Sequence, residues 1–293
     1  MQISVVVTCY NAEATLADAL ASIVAQELPP YEVIIVDDGS DDGSIAIAQS
    51  TLPSATIIRQ ANQGVSAARN AGLASVSGTA IAFLDDDDIW HPAKLQRQAQ
   101  ILERYPQLDL IATSWSRSYP TPTEEQELRW LSYRELTLMN QFQTSTVLIR
   151  TDLVHKVGGF NPALDSVEDW AYWIACAKQG SLAILEQDLV LYRDSPDGVS
   201  KDLRRFWSKL MHMLNNTEAL SLLDPTDRER ITAWHTQRMA IAAILASELP
   251  LLPPILRHML TTSPIAQAYA MRTLTLPFLK QRLQRRTARR PAT

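Results

Sequence analysis

The sequence holds no run of about 18 apolar residues and therefore offers no membrane-spanning helix, and its start, MQISVVVTCYN, lacks the basic opening and long apolar stretch of a signal peptide. A cytoplasmic protein is expected. Cysteine is scarce: Cys9 and Cys176 lie far apart and form no CxxC pair, which speaks against a disulfide framework or a cysteine zinc site and leaves both as small core residues. The five histidines, His91, His155, His212, His235 and His258, show no metal-ligand spacing. Also missing are GxxxxGKS or GxxxxGKT, GxGxxG, GxSxG and HExxH, so P-loop, dinucleotide, serine-hydrolase and zinc-protease chemistries lose their usual signatures. No repeat or low-complexity tract appears. Acidic residues stop at Glu248, after which Arg257, Arg272, Lys280, Arg282, Arg285, Arg286, Arg289 and Arg290 supply eight positive charges. Of 27 basic and 32 acidic residues, residues 1–248 thus keep 19 basic and all 32 acidic ones, a net of −13 against +8 for the rest. An acidic body and a basic tail call for different partners, and the body's charge speaks against nucleic acid.

What is present is an alternation of strands and helices. ISVVVT (3–8) is a short β-branched run ending in the turn-prone CYNAE, and TLADALASIVAQ (15–26) puts Leu16, Ala19, Leu20, Ile23 and Val24 on one helical face. YEVIIVDDGSDDGS (31–44) repeats the scheme, with a helix from near Ser44; ATIIRQ (55–60), the turn ANQG, the helix VSAARNAGLASV (65–76) and the strand TAIAFL (79–84) follow. This pace implies right-handed βαβ crossovers and a parallel sheet. LDLIATSW (108–115) and STVLIR (145–150) read as further strands around a polar, Pro-containing insertion that ends in an amphipathic helix. A helix after the Gly-Gly turn at 158–159 carries Glu168 and Asp169 in its first turn, and residues 201–293 read as helices broken at LDPTD, LPLLPP and SPIA.

In open α/β sheets ligands bind beyond the carboxyl ends of the strands. Four polar clusters fall there: Thr8 to Asn11, Asp37 to Ser40, Asn62 to Gly64, and Asp85 to Asp88. The last is the most demanding, because two unit charges about 4 Å apart cost roughly 4 kcal/mol at an effective dielectric near 20. Four adjacent carboxylates must be solvated, partly protonated or neutralised by a cation. In extended chain Asp85 and Asp87 would face one way and Asp86 and Asp88 the other, letting one pair meet a hard divalent ion. Asp88 is also placed to cap a helix in IWHPAKLQRQ.

The segments VVVTCYNAEATLADALASIVAQ, EVIIVDDGSDDGS, NQGVSAARNAGLASVSGTAIAFLDDDDIW and GGFNPALDSVEDWAYWIACAKQG, in this order over roughly residues 1–195, resemble the successive signatures of family 2 inverting glycosyltransferases. The resemblance implies a GT-A fold: a Rossmann-like α/β, mostly parallel sheet flanked by helices, here with a helical C-terminal extension. It divides the chain into a glycosyltransferase domain at 1–200, with nucleotide-sugar binding in 1–115 and an acceptor-binding half in 116–200, and an extension at 201–293. It implies a nucleotide-diphosphate sugar donor, a UDP-sugar first among them, held with Mg²⁺ or Mn²⁺. Thr8 and Tyr10 would contact the base, Asp38 or Asp37 would accept from the base imide, Arg69 would lie near the base or diphosphate or else form a surface ion pair, and Asp85 and Asp86 would join the donor site, Asp86 at the ribose. Asp87 would bind the metal. Asp169 stands at the position of the general base, with Glu168 beside it. Trp170 and Trp173 could frame sugar or acceptor, though core packing is the plainer role. Where many relatives have Tyr-Arg-x-His, this chain has LYRDS, with Tyr192 and Arg193 kept and Ser195 in the His place, which leaves Arg193 as a diphosphate donor and puts metal coordination from that loop in doubt.

The expected activity is transfer of a sugar to a hydroxyl of a glycan or lipid-linked acceptor in cell-surface polysaccharide synthesis. The interleaved leucine, phenylalanine and arginine of the tail suggest a peripheral contact with anionic lipid at the inner face of the membrane. A non-catalytic nucleotide-sugar or glycan-binding protein of the same fold is the alternative. A nucleotidyltransferase fits less well, because the Gly- and Lys-rich N-terminal loop that commonly holds a triphosphate is missing.

Overall fold

The computed structural model describes residues 1–122, 127–193, 202–216 and 218–280, and the chain divides into two compact units, Met1–Gly198 and Val199–Thr293. The first unit is built on one nine-stranded sheet. Its parallel half is ordered β3 (Thr56–Arg59), β2 (Glu32–Asp37), β1 (Ile3–Cys9), β4 (Ala80–Asp85). Beyond β4 the sheet becomes mixed: β8 (Leu148–Arg150) is antiparallel to both β4 and β6 (Leu110–Ser116), and β9 (Leu182–Leu191) runs parallel to β6. The short β5 (Ile89–Trp90) and β7 (Leu128–Leu131) pair antiparallel with β9. The sheet is α/β and Rossmann-like as expected. Parallel pairing is confined to the first half and to β6–β9.

All seven residues of β1 are buried, which is why its sequence is a continuous apolar run rather than an alternating one. Val5 and Val7 share a core with Leu16, Leu20 and Ile23 of α1 (Leu16–Val24), Ala48 of α2 (Ser44–Thr51) and Leu95 and Leu102 of α4 (Lys94–Arg104). Each fully buried Val, Leu or Ile among them stabilises by about 1.5–3 kcal/mol. On the opposite face, Ile34 and Val36 pack against Ala68 of α3 (Val65–Leu73). Helices therefore cover both faces, and strand ends are left to carry polar groups.

Two internal braces fix the elements around the carboxyl edge. The Asn70 side chain donates to the Phe160 carbonyl at 2.8 Å and accepts from the Phe160 N–H at 2.7 Å, pinning α3 to the loop after α6 (Thr151–Val157) as another strand would. Trp90 donates its indole N–H to the Ser145 carbonyl at 2.8 Å, and the buried Lys94 Nζ sits 4.1 Å from the centre of the Trp90 ring while donating to Gln98 at 2.9 Å. Burial drives the Lys94 pKa well below the usual lysine value. Gln98 in turn donates to the carbonyls of Ile111 and Thr146, so its amide satisfies the backbone of two elements at once. Cys9 and Cys176 are both free and buried, as expected of small core residues.

The second unit is helical: α8 (Leu203–Asn216), α9 (Pro225–Leu245), α10 (Leu252–Met259) and α11 (Pro264–Ala270) among its described residues. The breakers seen in the sequence act through caps. Asp224 accepts from the Asp227 N–H at 2.9 Å with Pro225 in the first turn, and Ser263 accepts from the Ala266 N–H at 3.2 Å ahead of Pro264. The buried Gln237 of α9 donates to Gln267 and accepts from Thr275, tying the last turns to the central helix. No described helix is long and apolar enough to cross a membrane.

Helix α3 approaches β1 so closely that a Cβ at Gly72 would stand 2.4 Å from Cγ1 of Val6. Alanine at position 72 would gain about 1 kcal/mol in helix propensity but lose about 1–3 kcal/mol to overpacking. Gly72→Ala is expected to lower the urea midpoint of unfolding. A midpoint at or above that of the native chain would contradict this packing.

Candidate active site

The four polar clusters form one hydrogen-bonded rim at the carboxyl end of β1, β2, β3 and β4. The Asn11 N–H donates to Ser40 at 2.9 Å, the Asp41 N–H to Asn11 at 3.0 Å, and the Tyr10 N–H to Asp86 at 3.1 Å. Asp38 takes the N–H groups of Gln63 and Gly64 at 2.9 and 2.8 Å and the Gln60 amide at 2.7 Å, so its carboxylate holds the loop leading into α3. Gly64 enters that helix at φ +88°, a left-handed conformation that favours glycine. Asp37 is fully buried, accepting from Arg59 at 3.1 Å and the Ser40 N–H at 3.1 Å. Thr8 is buried at the strand end, whereas Tyr10 is half exposed and presents its ring at the rim.

The acidic run departs from the extended alternation expected of it. β4 ends at Asp85, and Asp86 and Asp87 form a turn closed by the Asp88 N–H donating to the Asp85 carbonyl at 3.2 Å. Asp88 does not cap a helix: α4 begins at Lys94, β5 intervenes, and the buried Asp88 carboxylate accepts from the Arg193 N–H at 3.1 Å. Asp85 pairs with Arg69 at 2.9 Å, and its N–H donates to the Ser145 hydroxyl at 3.1 Å. Asp87 is partly exposed and takes no hydrogen bond from another described residue. Burial, reinforced by repulsion among neighbours, pushes the Asp86 carboxyl up to about 7 and Asp87 up to about 6. Asp88 rises to about 8 for the same reasons, despite the Ser145 hydroxyl and the Arg193 N–H.

The other carboxylates come from α7 (Glu168–Gln179), whose first turn carries Glu168 and Asp169. Arg69 connects the two sets. Its side chain is 5% exposed, with one terminal nitrogen 2.9 Å from Asp85 and the other 3.1 Å from Glu168, and its guanidinium carbon lies 5.3 Å from the centre of the Phe160 ring. It is an internal bridge beneath the rim, where the sequence suggested a group beside the base or diphosphate. Burial works against its charge, but Asp85 and Glu168 more than compensate and hold it protonated. Asp169 accepts from the N–H of Trp170 at 2.6 Å and from the Asn140 amide at 2.9 Å. Enclosure and the repulsion of Glu168 push its carboxyl up to about 7, with Arg69, the Trp170 N–H and Asn140 opposing. Trp170 and Trp173 are core residues: Trp173 packs against Phe83, Phe142 and Phe160, and the Trp170 indole donates to the Leu136 carbonyl.

Arg193 meets Asp18 of α1 at 2.7 Å, and its charge lowers the pKa of Asp87. Ser195 and the arginines after Lys280 lie outside the described residues. Asn140 and Ser145 escaped the sequence reading, because a lone Asn or Ser in a polar insertion carries no pattern that separates it from any loop residue. Among the described residues no group of three or more His, Cys, Asp or Glu side chains could hold a metal ion by itself. What the turn offers is one uncommitted carboxylate, Asp87, which suits a hard cation only if the remaining ligands are water and substrate phosphate.

The glycosyl transferase family 2 model matches residues 4–159, more than half of the chain. A protein of Nostoc described as an uncharacterized glycosyltransferase is 33% identical over 66% of this chain and 65% of its own length. One from Haemophilus influenzae, described in the same words, is 30% identical over 61% of this chain and 63% of its own. The chain thus spans a little under two thirds of these two relatives. Among solved structures, S. aureus TarS 1-349 in complex with UDP-GlcNAc superposes with a TM-score of 0.68 at 17% identity, covering 92% of this chain and 87% of that one. The mannosyltransferase PcManGT from Pyrobaculum calidifontis in complex with GDP-Man and Mn²⁺ gives 0.57 at 16% identity, covering 92% and 85%. The extent of the family match, on a sheet whose polar rim and acidic turn sit at the carboxyl edge, settles the assignment: the chain belongs to glycosyl transferase family 2 and has the GT-A fold.

Proposed function

We propose that the protein is an inverting glycosyltransferase that moves a sugar from a UDP-sugar to a hydroxyl of a glycan or lipid-linked acceptor, with Asp169 as the general base. The observation that carries this reading is the joining of two acidic groups by one buried arginine: Asp85 of the donor-side turn and Glu168, next to Asp169, both bind Arg69. Inversion in one step needs a base on one side of the sugar and charge control on the other. Asp169 takes the proton of the acceptor hydroxyl as that oxygen attacks C1, and the bond from C1 to the diphosphate breaks with its electron pair leaving on the nucleotide. Tyr10 offers an exposed ring for the base, and Asp86 a carboxylate for the ribose. Asp87 would hold Mg²⁺ or Mn²⁺ against the diphosphate, where the cation neutralises charge on the leaving group. Asp37 and Asp38 act here through the loops they hold.

The acceptor class and a site of action at the inner membrane face belong to the same proposal. Contact of the Arg-rich 282–290 stretch with anionic lipid is supported by sequence alone. Donor choice is open to direct test, since the fold relatives include a complex with UDP-GlcNAc and one with GDP-Man.

Four outcomes follow. A base with its pKa near 7 works when deprotonated, so transfer should rise as pH increases through about 7 and level off above it. Asp169→Asn should lower the transfer rate about 10²–10⁴-fold while nucleotide affinity stays unchanged; transfer within a few-fold of the native rate would rule Asp169 out as base. In thermal unfolding, UDP at 100 times its Kd should add about 2.7 kcal/mol of stability, with Mn²⁺ required. Asp87→Asn should abolish that gain even with Mn²⁺ present. A nucleotide effect indifferent to both metal and Asp87 would contradict the proposed cation site.

A further inference from the structure

The segment between β7 and β8 touches both halves of the site. It contains α5 (Tyr133–Leu138), Asn140, and a 3₁₀ turn at Thr144–Thr146. At its far end the Ser145 hydroxyl accepts from the Asp85 N–H and the Ser145 carbonyl from the Trp90 indole. At its near end the Leu136 carbonyl accepts from the Trp170 indole at 2.5 Å, which locks α5 onto the helix that bears Asp169. Between these anchors the Asn140 amide nitrogen donates to Oδ2 of Asp169 at 2.9 Å.

We propose that Asn140 is a positioning residue for sugar transfer, fixing the carboxylate of Asp169 in place through its amide N–H. The proposal rests on the reading of Asp169 as the base. Each oxygen of that carboxylate then has one assigned donor: Oδ1 has the Trp170 N–H, Oδ2 the Asn140 amide. The first bond comes from the backbone of the next residue and accompanies the side chain wherever the helix goes, so among the described residues only Asn140 hydrogen-bonds the carboxylate from a second element. The amide has one workable orientation. Reversed, it would set its own oxygen against Oδ2, and in the observed orientation the Asn140 oxygen is buried without a hydrogen bond. An amide is also suited chemically, because it orients a carboxylate without the full charge of a lysine or arginine, which would weaken the base.

The charges around Asp169 are accounted for on each packed element. Glu168 repels it from its own helix, and Arg69 attracts it from α3. On α5, Glu135 is turned back onto Ser132 as a helix cap, with Arg134 beside it; on α6, Asp152, His155 and Lys156 are exposed. Asp165 lies in the loop before α7. Glu168 and Arg69 are untouched by a substitution at Asn140, so the effect of that change isolates the amide.

The test is a carboxyl-¹³C NMR titration of the full chain labelled at aspartate, with the Asp169 signal identified by its loss in Asp169→Asn. Asn140→Ala should move the Asp169 midpoint upward by about half to one pH unit, the size expected for loss of one hydrogen bond to the charged form. UDP release from a panel of UDP-sugars in water should show its acid limb displaced by the same amount, with kcat lowered and KM little changed. Should alanine disturb the loop, Asn140→Asp keeps the shape, removes the donor and is expected to raise the midpoint further. An unmoved midpoint in both variants, with Asp169→Asn still inactive, overturns the role of Asn140 and leaves the base reading standing. An Asp169→Asn enzyme that turns over normally overturns the base reading, and this proposal with it.

Discussion

The buried Arg69 guanidinium is the contact on which the site depends. An arginine with 5% of its side chain exposed has given up its hydration, and only good geometry with opposite charge can return that free energy. Asp85 and Glu168 supply it from two elements that are 83 residues apart in the chain, the end of β4 and the start of α7. Removing one partner of such a pair typically costs about 3–5 kcal/mol, because the other charge is left buried alone. The next residue, Asn70, binds the backbone of Phe160, whose ring in turn lies against the guanidinium. Helix α3 therefore fixes the relative position of the acidic turn and helix α7 with two consecutive side chains.

This bridge explains how four adjacent aspartates are tolerated. Asp85 faces Arg69, Asp86 accepts from the Tyr10 N–H, and Asp88 accepts from the Arg193 N–H. Three carboxylates are thus committed to protein groups, each to a different element. Asp87 is left to solvent or a cation, and the raised pKa values of Asp86, Asp87 and Asp88 record burial first and the neighbouring negative charge second. On the proposed reading, a divalent ion arriving with a diphosphate would relieve that concentration of acids.

The parallel half of the sheet was legible from sequence because its signals are local. Short runs rich in β-branched and apolar residues, each closed within a few residues by Asn, Asp or Gly, predict β1, β2, β3 and β4 to within a residue or so at most ends. The carboxyl-edge rule then located the rim. β9, the longest strand, was missed: its exposed Glu186 and the Asp188 near it break the apolar run, and its partners β5, β6 and β7 are all remote in sequence. The cap assigned to Asp88 failed because the two-residue β5, held by β9, delays the helix to Lys94. Arg69 was recognised as a site residue or one half of a surface ion pair, but its buried partners were not, since nothing local reveals that a helix residue will meet Glu168 99 residues later. Asn140 had no signal at all, because its meaning comes only from the partner that the fold brings to it.

The central claim is a single displacement with Asp169 as base, and stereochemistry tests it most directly. With water as the acceptor and an α-linked UDP-sugar that the enzyme hydrolyses, ¹H NMR at early times identifies the anomer released before mutarotation. Direct displacement predicts the β anomer first. Release of the α anomer would mean two successive displacements, a nucleophile in place of a base, and a different role for the carboxylates joined through Arg69.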